Sequence, residues 1–242
     1  MAIIANMTLT EHLEELRWCL LRLVIAVFAG SAICYFFANA IFAFMVAPLR
    51  ENLQPGQGLI GTSVTEAFFS EIKVAIAAGV LLSCPYIFFQ IWRFIAPGLS
   101  GGEKKLVLPF VSCATLFFLG GSYFCYRIVL PVAFKYFVAQ YDTIGVTPAI
   151  RIGEYFTFFF RMVLAFGVTF ELPVFTFFLV RLGLWNYRLM IGSFRYAIIA
   201  IFVIAAILTP TPDIINQSLL ALPMLVLYVL SIGVAYVWRK TD

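Results

Sequence analysis

Charge is scarce in this chain: only 12% of its 242 residues are Asp, Glu, Lys or Arg, and 63% are hydrophobic. With a mean hydropathy of +1.02, that balance rules out an ordinary water-soluble domain and fits a polytopic membrane protein. Histidine is limited to one residue, and the five cysteines (Cys19, Cys34, Cys84, Cys113, Cys125) include no C-x-x-C pair. No metal-ligand set can be assembled from them, so they read as small packing residues within or beside apolar segments. A P-loop, a nucleotide-binding glycine fingerprint, H-E-x-x-H and G-x-S-x-G are all missing, which argues against ATP-driven or hydrolytic work and against a bound cofactor. Period-two alternation is lacking too, so a transmembrane β-barrel is not expected.

Long apolar runs are what the chain does have. They recur near residues 23–46, 72–95, 106–126, 155–180, 192–208 and 214–237, which predicts six transmembrane helices in a single integral membrane domain, 1–242. An even number puts both termini on one side. With the N-terminus inside, the inner segments hold ten bases (Arg17, Arg22, Arg93, Lys104, Lys105, Arg181, Arg188, Arg195, Arg239, Lys240) against four outside (Arg50, Arg127, Lys135, Arg151). The positive-inside rule therefore selects N-in/C-in, and the net charge of +4 reports topology rather than nucleic-acid binding. Acids precede the first span and no small-x-small site follows it, so that span is expected to stay in the mature protein. The fifth span, 17 residues, reaches only about 26 Å at ~1.5 Å per residue, short of a core of about 30 Å.

Polar residues are few enough to be taken one by one. Residues 1–22 precede the first span, and Thr8–Leu20 reads as an amphipathic helix, with Leu9, Leu13, Leu16 and Leu20 on one stripe and Glu11, Glu14 and Glu15 opposite. A solvated face with pairs such as Glu14 to Arg17 accounts for those acids equally well. The segment 47–71 is rich in proline and glycine and reads as a loop. In the inner loop after the second span, Ser100-x-x-Glu103 fits a capping box, so Glu103 has a structural role whether or not anything binds. Pro131 can start a short surface helix in the outer segment 127–154.

Glu171 is the one acid near the middle of the apolar stretch from Tyr155 to Val180. An ionised carboxylate facing lipid at that depth costs about 2.5–3.5 kcal/mol. It must face protein or a polar recess, and Pro173 beside it invites a kink. Gln217, in the last span, is a second polar candidate for such a recess. A packing hydrogen bond is the alternative role for Glu171. Acids on an otherwise basic inner face suit a cationic ligand, above all a guanidinium, whose planar fork matches a carboxylate.

Four motifs in register carry a resemblance. The segment from Glu11 through His12-Leu13-Glu14-Glu15-Leu16 to Arg17, the loop Phe94-Ile95-Ala96-Pro97-Gly98-Leu99 with Glu103, the run Phe166-Gly167-Val168-Thr169-Phe170-Glu171-Leu172-Pro173, and Thr209-Pro210-Thr211-Pro212-Asp213 with Gln217 resemble the TatC family over nearly the whole chain. The resemblance implies an all-α, concave, glove-like bundle in the cytoplasmic (inner) membrane. It implies a non-enzymatic receptor that binds twin-arginine signal peptides of folded precursors at the cytoplasmic face and works, in an oligomeric complex, with TatA and TatB on the proton-motive force. Glu15, Glu103, Phe94, Pro97 and Arg17 are the implied signal-peptide contacts; Glu171, Gln217 and Asp213 are the implied intramembrane polar or partner-binding positions. Two positions depart from the family pattern: Cys19 where a second arginine is common, and Val229 where a glutamate often follows Leu-Tyr. The competing class is a small proton-coupled secondary transporter that would use Glu171 as its proton carrier; a structural scaffold is the third.

Overall fold

The computed structural model describes residues 9–53, 57–95, 107–143, 145–181, 183, 185–209 and 214–238. Most of them are helical: α1 (Leu9–Tyr35), α2 (Ala38–Arg50), α3 (Glu66–Ile95), α4 (Val107–Phe124), α5 (Leu130–Thr143), α6 (Ile152–Phe170), α7 (Leu172–Arg181), α8 (Tyr187–Gly192), α9 (Phe194–Leu208) and α10 (Ile214–Val237). Five helical stretches among the described residues are long and apolar enough to cross a membrane: Leu13–Tyr35, Glu66–Phe94, Leu108–Thr143, Ile152–Arg181 and Gln217–Val237. The expected short fifth span is α9, 15 residues long, or about 22 Å. By backbone contacts the chain divides into two compact units. One holds Met1–Phe44 and Phe68–Leu116; the other holds Met45–Ala67 and Phe117–Asp242.

In the first unit, the amphipathic N-terminal segment is not a separate helix. It runs unbroken into the first span as α1, because nothing between Leu9 and Tyr35 stops a helix. The helix ends instead at the aromatic run Tyr35-Phe36-Phe37, whose strong exposure suits a membrane interface. Helices α1 and α3 pack on small residues. A Cβ on Gly79 would lie 2.5 Å from the Ser31 nitrogen and 2.7 Å from its Cα, and one on Gly30 would lie 2.9 Å from the Gly79 carbonyl oxygen. Such contacts let backbones approach, which is how helices associate where lipid removes the hydrophobic drive. Ser83 Oγ donates to the Ala26 carbonyl at 2.9 Å and Cys19 Sγ to that of Gln90 at 3.7 Å. Farther along α3, Trp92 is buried and stacks on Phe110 of α4 with ring centroids 4.2 Å apart.

In the second unit, the break expected after the third span is absorbed into the helix. Phe124 leads into a π turn, Cys125–Val129, which passes directly into α5. Pro131 explains the widening: its ring would collide with the carbonyl of Arg127 in a regular α-helix and its nitrogen cannot donate. The expected loop is also shorter than residues 47–71, since α2 continues to Arg50 and α3 begins at Glu66. That connection is tied to the start of α6. The Ile60 nitrogen donates to the Ile150 carbonyl at 2.9 Å, and the Ile152 nitrogen to that of Ile60 at 3.1 Å. Glu66 adds a clamp, its carboxylate accepting from the Thr62 nitrogen (2.5 Å), the Thr62 hydroxyl (2.9 Å) and the Gly153 nitrogen (2.9 Å). Beneath it, the Tyr155 hydroxyl donates to the Met45 carbonyl at 2.6 Å, and its ring stacks on Phe134 at 5.4 Å.

The α1–α3 contact leaves no space for a side chain, so Gly79→Leu is expected to cost about 1–3 kcal/mol by overpacking. Gly120→Leu, where a new Cβ meets nothing within 4 Å, should be nearly silent. Thermal melting of the helical circular-dichroism signal in detergent distinguishes them.

Candidate functional site

The register of α1 against α3 determines what faces what at the end of the first unit that carries the N-terminus. Cys19 meets Gln90, Ala26 meets Ser83, and Gly30 meets Gly79. Seven residues forward on α1 are seven back on α3, then four forward are four back, so the helices are antiparallel in constant register. Carried one turn beyond Cys19 and Gln90, the same step sets Glu15 opposite Phe94. Glu15 is half-buried and its Oε2 is buried without a hydrogen-bond partner among the described residues. Phe94 is half-buried in the last turn of α3.

Burial on α1 reverses the expected orientation of the helix. The leucine stripe is the outward face, with Leu13 63% and Leu20 53% exposed, while Cys19, one turn from Glu15, is buried. In a bilayer the apolar stripe finds its solvent outside the protein, and Glu15 turns inward while Glu14 stays exposed. Arg17 is exposed and lines a shallow hollow with Leu13, Leu16 and Leu20. Two residues along a helix lie on nearly opposite faces, so the structure does not bring Arg17 to the Glu15 side. Pro97, Glu103 and Asp213 lie outside the described residues.

One polar residue that the sequence reading did not single out sits directly under this pair. Gln90 is 3% exposed, its Nε2 donates to the Tyr86 hydroxyl at 2.6 Å, and its carbonyl takes the Cys19 thiol. Its signal was present in the sequence: a lone amide within an apolar span, one turn before Phe94. Gln90 and Cys19 are both buried, one turn along from Phe94 and Glu15. A carboxylate oxygen with no partner among the described residues, in register with an aromatic residue, is suited to receive a cationic donor fork.

Glu171 marks a second polar point, in the second unit. It stands between α6 and α7, where the Glu171 nitrogen donates to the Val168 carbonyl at 3.1 Å. Pro173 cannot donate to the Thr169 carbonyl, which forces the expected kink here. The side chain is half-buried, Oε1 is buried with no partner among the described residues, and the Phe118 backbone reaches the carboxyl group. Close packing supports the joint: a Cβ on Gly167 would meet the Phe118 ring at 2.8 Å, and one on Gly121 would meet the Phe166 carbonyl at 2.7 Å. Gln217 is held elsewhere. In the first turn of α10, its Nε2 donates to the Phe202 carbonyl of α9 at 3.0 Å, so it joins two helices.

Comparison with known proteins identifies the family of the chain. Residues 11–223 match the family described as Sec-independent protein translocase protein (TatC). The TatC of Koribacter versatilis is 39% identical over 96% of this chain and 86% of its own length. That of Magnetococcus marinus is 43% identical over 93% and 82%. A crystal structure of the twin-arginine translocase receptor TatC superposes with a TM-score of 0.85 at 35% identity, covering 95% of this chain and 100% of the other. Helices and relatives together define a multi-pass membrane protein of a protein-translocation system. The chain belongs to the TatC family.

The Glu171 Oε1 is buried without a partner among the described residues, and only the Phe118 backbone offsets the burial of the carboxyl. Glu171→Leu is expected to raise the melting midpoint in detergent, by the equivalent of about 1–3 kcal/mol of relieved desolvation. A lowered midpoint would show that the carboxyl holds the joint together.

Proposed function

We propose that this chain is the receptor subunit of a twin-arginine translocase, binding the arginine pair of signal peptides through Glu15 and Glu103, with Phe94 and Pro97 shaping the site. The carrying observation is the half-buried Glu15 carboxylate, whose Oε2 lacks a partner among the described residues in register with Phe94. An uncompensated buried acceptor is unfavourable, and a guanidinium supplies both the charge and the paired donors it lacks. Family membership supports the same reading, since the relatives carry the translocase name and the solved relative is a twin-arginine receptor.

In this reading the chain is a single membrane domain that crosses the cytoplasmic membrane six times with both termini inside, as its ten inner and four outer bases favour. It performs no chemistry of its own. The single-span subunits TatA and TatB join it in an oligomeric complex and export of folded precursors draws on the proton-motive force. The recess at Glu171 receives a partner helix or the inserted peptide, and Gln217 with Asp213 mark the other polar contact. Arg17 serves as a neighbouring cation that lipid phosphates can hold, because it shares the outward face of α1 with the leucines.

Binding of a fluorescent signal peptide to the purified protein in detergent tests the proposal, with a twin-lysine peptide as control. Arginine-selective binding is expected, weakened about 10- to 100-fold in Glu15→Gln and in Glu103→Gln, as for loss of a charge-assisted hydrogen bond of about 1.5–3 kcal/mol. Equal binding of both peptides, unaffected by either substitution, would discard the receptor site. The next experiment would then be solute uptake into proteoliposomes with Glu171→Gln, the test of the transporter reading.

A further inference from the structure

A cavity of about 570 Å³ with both charged and apolar lining lies within the second unit, between the loop at Thr62, the first turns of α6 and the end of α9 at Thr209. Two arginines and two glutamates line it, so its formal charge sums to zero, but the charges are not equally engaged. Glu66 accepts three hydrogen bonds, from Thr62 and Gly153. Glu154 pairs with Arg151 at 3.5 Å. The Thr157 and Thr209 hydroxyls donate to the carbonyls of Gly153 (2.7 Å) and Ala205 (3.0 Å). Arg161 is exposed to the cavity and has no ion-pair or hydrogen-bond partner among the described residues.

Depth turns that into a demand for a ligand. The stretch Ile152–Arg181 has 30 residues, about 45 Å, which matches a bilayer of about 40–45 Å with its headgroup layers. Arg161 lies nine residues in, about 13 Å from the Ile152 end. Its side chain reaches back about 6 Å by snorkelling, which puts the guanidinium at the boundary between headgroups and hydrocarbon. A cation there requires an anion, and among the described residues the two carboxylates lining the cavity, Glu66 and Glu154, already have partners. We propose that this cavity is a lipid site in which Arg161 holds the phosphodiester of a phospholipid from the leaflet at the Ile152 end. Phe158 and Leu208 also line the cavity and supply the apolar wall that a glycerol backbone and its first methylenes need. A free inorganic phosphate would gain nothing from that wall, and a guanidinium fork suits the two non-bridging oxygens of a phosphodiester.

Native mass spectrometry of the purified protein tests this, with dioleoyl-phosphatidylglycerol, dioleoylglycerol and inorganic phosphate added in separate arms. One phosphatidylglycerol should be retained by the wild type, while dioleoylglycerol and phosphate leave no adduct. Retention should fall about tenfold in Arg161→Gln, the loss of a charge-assisted contact, and recover in part in Arg161→Lys. The wild-type comparison of the two lipids needs no variant, so a misfolded substitution would not rescue the idea. Equal retention of both lipids, an adduct with phosphate alone, or undiminished retention in a folded Arg161→Gln would overturn it. So would an acidic polypeptide, in place of lipid, that leaves the wild type only when Arg161 is replaced.

Discussion

Nothing in hydrocarbon hydrates a polar group, and that constraint governs both units of this protein. A buried donor or acceptor must be met by another part of the chain or carry a free-energy cost of about 1–3 kcal/mol. Most polar side chains within the helices obey. Ser31, Thr157, Thr169 and Ser231 return their hydroxyls to the carbonyl one turn back, at 2.7 to 2.8 Å, and Gln217 and Gln90 find partners across or along helices. Against this background the unmatched groups stand out. Glu15 and Glu171 each bury one carboxylate oxygen that has no partner among the described residues, and Arg161 has no hydrogen-bond or ion-pair partner among them.

Backbone proximity is the second theme, and it follows from the first. Because lipid tails are as apolar as leucine side chains, helices in a bilayer gain little by burying large residues against each other. Contact at small ones gains dispersion and hydrogen bonds instead, as between Gly30 and Gly79 and between Gly121 and the α6 backbone at Phe166. On α1 large apolar residues are left outside: Val24, Ile25 and Phe28 are all well exposed. The inverted burial of α1 is the same rule acting on a single helix, and it brings an acid into the protein while a leucine stripe leaves it.

Length and apolarity alone locate some spans, and α10 runs over its expected bounds, 214–237, but the expected first span, 23–46, straddles the break between α1 and α2. Breaks and continuities were less legible. The joins between Leu20 and Leu23 and at Arg127 involve no helix-stopping residue, so composition marked a boundary where the backbone has none. Pro131 signalled a helix start, and α5 does begin beside it at Leu130, but it follows directly on a π turn where a loop was expected. Glu171 with Pro173 was readable as a kink because the missing donor is local. Facing partners were not readable: the opposition of Glu15 and Phe94, and that of Cys19 and Gln90 one turn along, depend on a register between helices that one strand of text does not contain.

That register has a mechanical side. Helix α1 is a single rod of 27 residues, about 40 Å, seated in α3 by contacts that recur at intervals of four and seven residues. Between those seats a slide drives Ser31 into Gly79, so the close backbone contact resists movement of the rod along its axis. A load applied near Glu15 is thus carried by the whole rod, from its first turns to Tyr35 at the far end.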